Sequence, residues 1–260
     1  MVSNKFLPFS LAMGLTILSI LAHSTAQSAE LDEIKRRGEL IVAVKDNLRP
    51  LGFLETNGQL QGFEIDIARR LAAELLGDAE ALVLQPVANN QRLNVVLEEE
   101  VDLTIARVTA TDSRSRIVYL SIPYYLDGTG LITKDTSTSK LKDFQSKKIA
   151  VLNGSSTTAV VQYNLPEAQL VGVNSYQEAL LLLEKGTADA FAADNSLLTG
   201  WVQEYPDYKM LPVRLSSEAL CIVMPKGLQY SQLQRRVNEA IAKWKAEGWL
   251  AERAAAWGLP

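Results

Sequence analysis

Val101-Asp-Leu-Thr-Ile-Ala-Arg-Val-Thr-Ala-Thr-Asp-Ser-Arg114 decides the fold. A short apolar strand, 101–106, runs into a turn of small and hydroxyl residues, and the turn opens a helical segment that carries Arg114. Such a junction suits the carboxylate of a small molecule. Arginine offers a planar fork of donors, Thr109 and Thr111 add hydroxyls, and backbone N–H groups at a helix start favour negative charge. The plainer reading is a surface strand-turn-helix whose Arg114 pairs with Asp112. The rest of the chain decides between them.

Working outward, 101–106 is one of several strands alternating with helices. Towards the N-terminus the spacing predicts a short helix at 31–37 stopped by Gly38, a buried strand at 39–44, and a hairpin turning on Asn57-Gly58. Residues 63–76 form a helical stripe ended by Gly77, with a strand at 81–85 and a helix near 90–97 before the deciding stretch. This β-α-β-α-β order points to a parallel sheet with helices on both faces. After Pro123-Tyr-Tyr125, Asp127-Gly-Thr-Gly130 reads as the crossing into a second unit. That unit repeats the pattern: strands at 148–152, 169–173 and 188–193, and helices into Tyr163, at 176–185 and from Asn195. Leu97-Glu-Glu-Glu-Val-Asp102 and Leu183-Glu-Lys-Gly-Thr-Ala-Asp189 share a cadence too faint to be called a repeat. Residues 220–224 read as a strand returning to the first unit, followed by tail helices at 231–246 and 250–256, with Trp244, Trp249 and Trp257 as packing anchors.

At 260 residues, with 47% hydrophobic and 22% charged residues, the chain is expected to pack a core. Residues 1–29 differ in kind: Lys5, an apolar run at 6–22 and a small-residue segment ending at Ala29 match a secretory signal peptide. Its removal leaves 25 basic and 30 acidic residues, a net charge of −5, which offers no footprint for nucleic acid. His23, the single histidine, lies in that leader, so the mature chain lacks the commonest general base and zinc ligand. Cys221, the single cysteine, stands in apolar Ala219-Leu-Cys-Ile-Val223 and is expected to be a buried structural thiol. Neither a metal nor any other cofactor is expected.

Ligands of open α/β sheets bind outside the carboxyl ends of strands. Those ends lie at 46–50, 106–114, 153–157 and 193–195, which makes Asp46, Ala106, Ser155 and Ser156 candidates beside Arg114 and Thr109. Arg114, Thr109 and the loop at Ser155 suit an anion, whereas Asp194 suits an ammonium. Both together suit an α-amino acid.

Gly62-Phe-Glu-Ile-Asp-Ile-Ala68, Val101-Asp-Leu-Thr-Ile-Ala106, Thr109-Ala-Thr-Asp-Ser-Arg114, Pro123-Tyr-Tyr125 and Ala188-Asp-Ala-Phe-Ala-Ala-Asp194 occur in this order across the mature chain. Together they resemble the periplasmic amino-acid-binding proteins, the family 3 solute receptors of polar-amino-acid ABC importers. The resemblance implies a two-lobed type II periplasmic-binding-protein fold, each lobe a mostly parallel sheet flanked by helices, joined by two hinge strands. Lobe 1 would comprise 30–126 and 222–260, and lobe 2 would comprise 127–221. By position, Arg114 would clamp the α-carboxylate with Thr109 and the backbone at Ser156, Asp194 would take the α-amino group, and Phe63 would pack against the ligand. The implied protein is a periplasmic monomer, not an enzyme, and delivers its amino acid to an inner-membrane permease.

Two positions depart from the family pattern: Arg49 stands before Pro50, and Arg107 follows Ala106. As plain structure, Arg49 is a solvated loop residue and Arg107 a partner of Asp112 or Glu64. If they face the cleft they add positive charge, so an acidic ligand, glutamate or aspartate, is the first expectation. A neutral polar amino acid (glutamine, serine or cysteine) is the second. A dehydratase on the same scaffold is the main rival, and Asp194 argues against it because its substrates need no ammonium partner. A receptor's sensor domain would call for a membrane span and signalling region after Pro260, and none follows.

Overall fold

The computed structural model describes residues 30–260, so the expected signal peptide at 1–29 lies outside the described residues. In chain order the first unit runs α1 (Leu31–Arg37), β1 (Leu40–Val44), β2 (Asn47–Leu48), β3 (Gly52–Leu54), β4 (Leu60–Gln61), α2 (Phe63–Leu76), β5 (Leu82–Pro86), α3 (Asn94–Leu97), β6 (Leu103–Ile105), α4 (Asp112–Ile117) and β7 (Tyr119–Leu120). β8 (Tyr125–Asp127) leads into β9 (Thr129–Thr133), β10 (Lys148–Leu152), α5 (Thr157–Asn164), β11 (Gln169–Val173), α6 (Tyr176–Glu184), β12 (Ala190–Asp194), α7 (Asn195–Glu204) and β13 (Lys209–Met210). β14 (Glu218–Leu220) returns the chain to β15 (Val223–Met224), α8 (Ser231–Ala246) and α9 (Trp249–Ala256).

The strands form two five-stranded sheets, β5-β1-β6-β15-β7 and β11-β10-β12-β9-β13. In each, three strands run parallel and the next is antiparallel: β15 against β6, and β9 against β12. β15 enters its sheet directly after the second unit, and β9 enters its own directly after the first. β8 and β14 pair antiparallel between the two sheets, with Glu218 opposite Asp127. This is the two-lobed type II architecture, with helices packed on both sheets. The returning strand expected at 220–224 is interrupted at Cys221-Ile222. Its first part pairs with β8 and its second with β6 and β7.

Periodicity explains most of the helices. α2 buries Phe63, Ile65, Ile67, Ala68, Leu71, Ala72 and Leu75, one face of a 3.6-residue repeat. It ends where Gly77 takes φ 83°, a left-handed conformation that costs glycine little, and donates back to Ala73 O. That face packs with β1, β6 and α8 in a core around Trp244, which is fully buried. Trp257 anchors α9, donating from Nε1 to Asp66 at 2.8 Å and standing edge-on to Phe53.

The faint cadence between the units has a structural counterpart. Asp102 accepts from Ile41 N at 2.8 Å and also from Arg37, while Asp189 accepts from Lys148 N at 2.8 Å and from Lys147 Nζ at 3.4 Å. In both units the acid before the third strand pins the start of the first. Cys221 is buried, and burial pushes its thiol up to about 11, as a structural cysteine requires.

Candidate functional site

The cleft lies where the carboxyl ends of β6 and β12 meet the paired strands β8 and β14. On the β6 side the chain leaves Ile105 as a loop tied down at many points. Cys221 N donates to Val108 O at 2.9 Å, Ala110 N donates to Ala219 O at 2.8 Å, and Thr109 bridges Leu220. The loop is thereby stitched to the hinge. Thr111 then caps α4 by accepting from Arg114 N at 3.3 Å.

This cap aims Arg114 back at its own loop. Its Nη1 donates to Thr109 O at 2.7 Å and also to the Thr109 hydroxyl. Arg114 does not pair with Asp112, and no acidic partner reaches it among the described ion pairs. A half-buried guanidinium held by neutral oxygens keeps donors for a carboxylate.

Across the cleft, Ser156 is the N-cap of α5 and makes no side-chain cap bond. The Ser155 hydroxyl oxygen is buried without a hydrogen-bond partner among the described residues. Unsatisfied buried hydroxyls are costly, so this edge is suited to accept a polar ligand group. Asp194 ends β12 and caps α7 by backbone geometry alone.

Arg107 contradicts the expectation that it brings unpaired positive charge. It adopts φ 49°, left-handed for a non-glycine residue, which costs about 1–2 kcal/mol. The conformation is held from both sides. Arg107 N donates to Glu64 Oε1 at 2.7 Å, and Arg92 Nη1 donates to Arg107 O at 2.7 Å and Ala106 O at 3.0 Å. The side chain then reaches two acids, pairing with Asp194 and with Asp127 Oδ2 at 3.4 Å. Asp127 is fully buried and accepts from Ser196 N at 3.1 Å and Ser196 Oγ at 2.5 Å. Burial would lower the Arg107 guanidinium, but Asp194, Asp127 and Glu218 outweigh it and raise its pKa. Burial raises Asp194 above the ordinary carboxylate range, with Arg107 pulling it back. Glu218 is likewise raised, by burial first and then by Asp194.

Arg49 is also matched within the protein. Its Nη2 pairs with Glu55 at 3.2 Å and its guanidinium lies 3.7 Å over the Phe53 ring. It borders a groove with Asn47 on one side and Tyr176, Trp201 and Tyr205 on the other. Phe63, expected against a ligand, is fully buried in the first core, packed on Tyr124 and Tyr125. It shapes the wall from behind. Ala106 is buried too, and contributes through its carbonyl to Arg92. Asp46 is half-buried at the end of β1, and its carbonyl accepts from Leu54 N at 2.8 Å.

Sequence reasoning missed Asp127 and Glu218, whereas Glu64, named there as a partner of Arg107, is its partner through the Arg107 N–H. Glu64 carried a signal, because Ile67, Ala68 and Leu71 stand at i+3, i+4 and i+7 from it, which puts an acid on a buried face. It is fully buried and accepts from the Tyr124 hydroxyl as well as Arg107 N. Asp127 and Glu218 meet only through strand pairing, which no local pattern reveals.

Residues 40–260 match the bacterial extracellular solute-binding proteins, family 3. The chain belongs to this family. Among its relatives is the glutamine-binding protein of Geobacillus stearothermophilus, 35% identical over 204 residues, covering 76% of this chain and 78% of the relative. The L-cystine-binding protein of Escherichia coli K12 is 26% identical over 256 residues, covering 94% and 93%. The crystal structure of the cysteine-binding protein from Campylobacter jejuni superposes with a TM-score of 0.67 at 26% identity, covering 88% and 92%. These relatives are binding components rather than enzymes, and this family 3 member is likewise a binding protein. Among the described residues no helix is long and apolar enough to cross a membrane, and no cluster of three metal-ligating side chains occurs.

Proposed function

We propose that this protein is the receptor of an amino-acid ABC importer, capturing one L-amino acid with an uncharged polar side chain, glutamine foremost. The observation that carries the reading is two opposite charges at strand ends that the Arg107–Asp194 pair holds together: Arg114 after β6, with no acidic partner among the described residues, and Asp194 at the end of β12. Arg114 and Thr109 take the α-carboxylate, with the Ser155 hydroxyl and the backbone at Ser156 closing on it. Asp194 takes the ammonium. The side chain extends towards the groove bordered by Asn47, Arg49 and Tyr176.

Charge argues against the acidic ligand that the sequence suggested. Arg107 faces Asp194, Asp127 and Glu218, and Arg49 faces Glu55. Neither cation is left to balance a ligand's second carboxylate, whose burial would be costly. The similarity to a glutamine-binding protein supports the same choice. In this reading 30–126 with 222–260 forms one lobe and 127–221 the other. They close about β8 and β14 outside the cytoplasmic membrane, and the loaded monomer docks on a permease in that membrane.

Calorimetric titration with glutamine, glutamate, aspartate, serine, cysteine, cystine and arginine tests the reading. Tightest binding of glutamine or another uncharged side chain supports it. Tightest binding of glutamate or aspartate overturns the side-chain assignment, and binding of none overturns the function.

A further inference from the structure

We propose that Arg107 is the protein's own occupant of the acidic end of the cleft. It latches the two walls together through Asp194, and a ligand ammonium must take Asp194 from it. The inference rests on the amino-acid reading above and adds what sets the free protein's shape and its exclusion of cationic ligands.

Three observations carry it. First, Arg107 is aimed by its surroundings. Glu64 holds its N–H, Arg92 holds its carbonyl, and φ 49° turns the side chain out of the line of β6. Second, Asp194 and Asp127 pair with this one guanidinium, and a third carboxylate, Glu218, is near enough to act on its charge. Asp127 and Glu218 stand opposite one another on paired strands, so their side chains share a face. Like charges so placed repel, Asp194 adds a third, and the Arg107 guanidinium among them offsets that repulsion. Third, the walls meet at the rim as well. The Arg49 carbonyl lies directly over Gly200 of α7, and Gln203 Nε2 donates to Trp257 O at 2.9 Å. The latch thus belongs to a closed arrangement that needs no cation from outside.

The consequence for selectivity is direct. A ligand ammonium competes with a tethered guanidinium, so the apparent affinity falls by the fraction of molecules in which Asp194 is free. A cationic side chain would have to share the acids with Arg107. Without Arg107 those acids would welcome it.

Small-angle scattering and calorimetry on the purified protein and its Arg107→Ser and Arg107→Gly variants test this, with glutamine, lysine and arginine as probes. The variants are expected to show a larger radius of gyration without ligand, at least about tenfold tighter glutamine binding, and new binding of lysine or arginine. Folded variants with unchanged radius and no gain for any probe overturn the proposal. Should both fail to fold, Asp194→Asn breaks the latch from its other end. It is expected to enlarge the free protein, and an unchanged radius again overturns the latch. Failure of the wild type to bind any amino acid would sink the functional reading, while the scattering comparison would still decide the latch.

Discussion

Arg107, at the end of β6, and Asp194, at the end of β12, form an ion pair across the cleft, and buried Asp127 holds the same guanidinium from the hinge. The pair inverts the charge that the sequence implies. An arginine read as surplus cation is instead the counter-ion of an acid read as a ligand's partner.

Arg114→Lys is expected to weaken amino-acid binding by roughly 2–5 kcal/mol, typical for disrupting a buried, hydrogen-bonded charge pair. A lysine ammonium cannot hold Thr109 and a carboxylate with the same planar fork. Calorimetry checks it, with circular dichroism as the control for folding. Affinity close to wild type would remove Arg114 from the carboxylate site.

Affinity is expected to fall as pH is lowered, beginning above the ordinary aspartate range. Burial raises Asp194 in the free protein, and only its charged form pairs with an ammonium, so binding is lost as pH drops through that raised value. Asp194→Asn should bind weakly with a flatter acid limb. A wild-type profile that begins to fall only below the ordinary range of about 3.9 would contradict the assignment.

Asp102 gives a stability prediction of the opposite slope. Burial lifts its pKa from the usual 3.8 to about 6, with Ile41 N and Arg37 opposing. An acid raised in the folded state binds its proton more tightly there. Its stabilising contribution is therefore fully present below about pH 4 and lost as pH rises through about 6, a change of about 3 kcal/mol. Asp102→Asn should remove that part of the pH dependence in urea unfolding between pH 4 and 7. Identical slopes for variant and wild type would refute it.

Gly200→Ala separates stability from closure. Alanine favours a helix over glycine by about 1 kcal/mol, so α7 should gain stability. The added Cβ would overlap the Arg49 carbonyl oxygen on the opposite wall. Because that overlap is with backbone in the free protein, opening the rim offsets the helical gain: thermal melting should hold or fall slightly while ligand affinity drops. Unchanged affinity would show that the rim contact does not matter for binding.

The elements themselves were legible because each is written locally. The stripe from Phe63 to Leu75 and its stop at Gly77 give α2, and the apolar runs at 148–152 and 169–173 give β10 and β11 within their observed bounds. Arg114 and Thr109 were legible for the same reason, since one capped turn brings them together. Phe63 was misplaced on the ligand because a residue starting a helix beside the cleft can turn either to the cleft or to the core, and Tyr124 and Tyr125 take it inward.

The sequence by itself determined the parallel strands and main helices in their order, the two-unit architecture and the residues at the strand ends, because hydrophobic period and turn chemistry act over a few neighbours. The antiparallel strands β7, β9 and β13 were not legible, since pairing with distant strands defines them. Only the tertiary structure decided which charges are free. Asp127 and Glu218 become neighbours through the pairing of β8 with β14, and Arg107 meets Asp194 where two separate sheets converge. Electrostatic pairing acts through space, between groups as far apart in the chain as residues 107 and 194, so the net charge offered to a ligand is a property of the folded cleft.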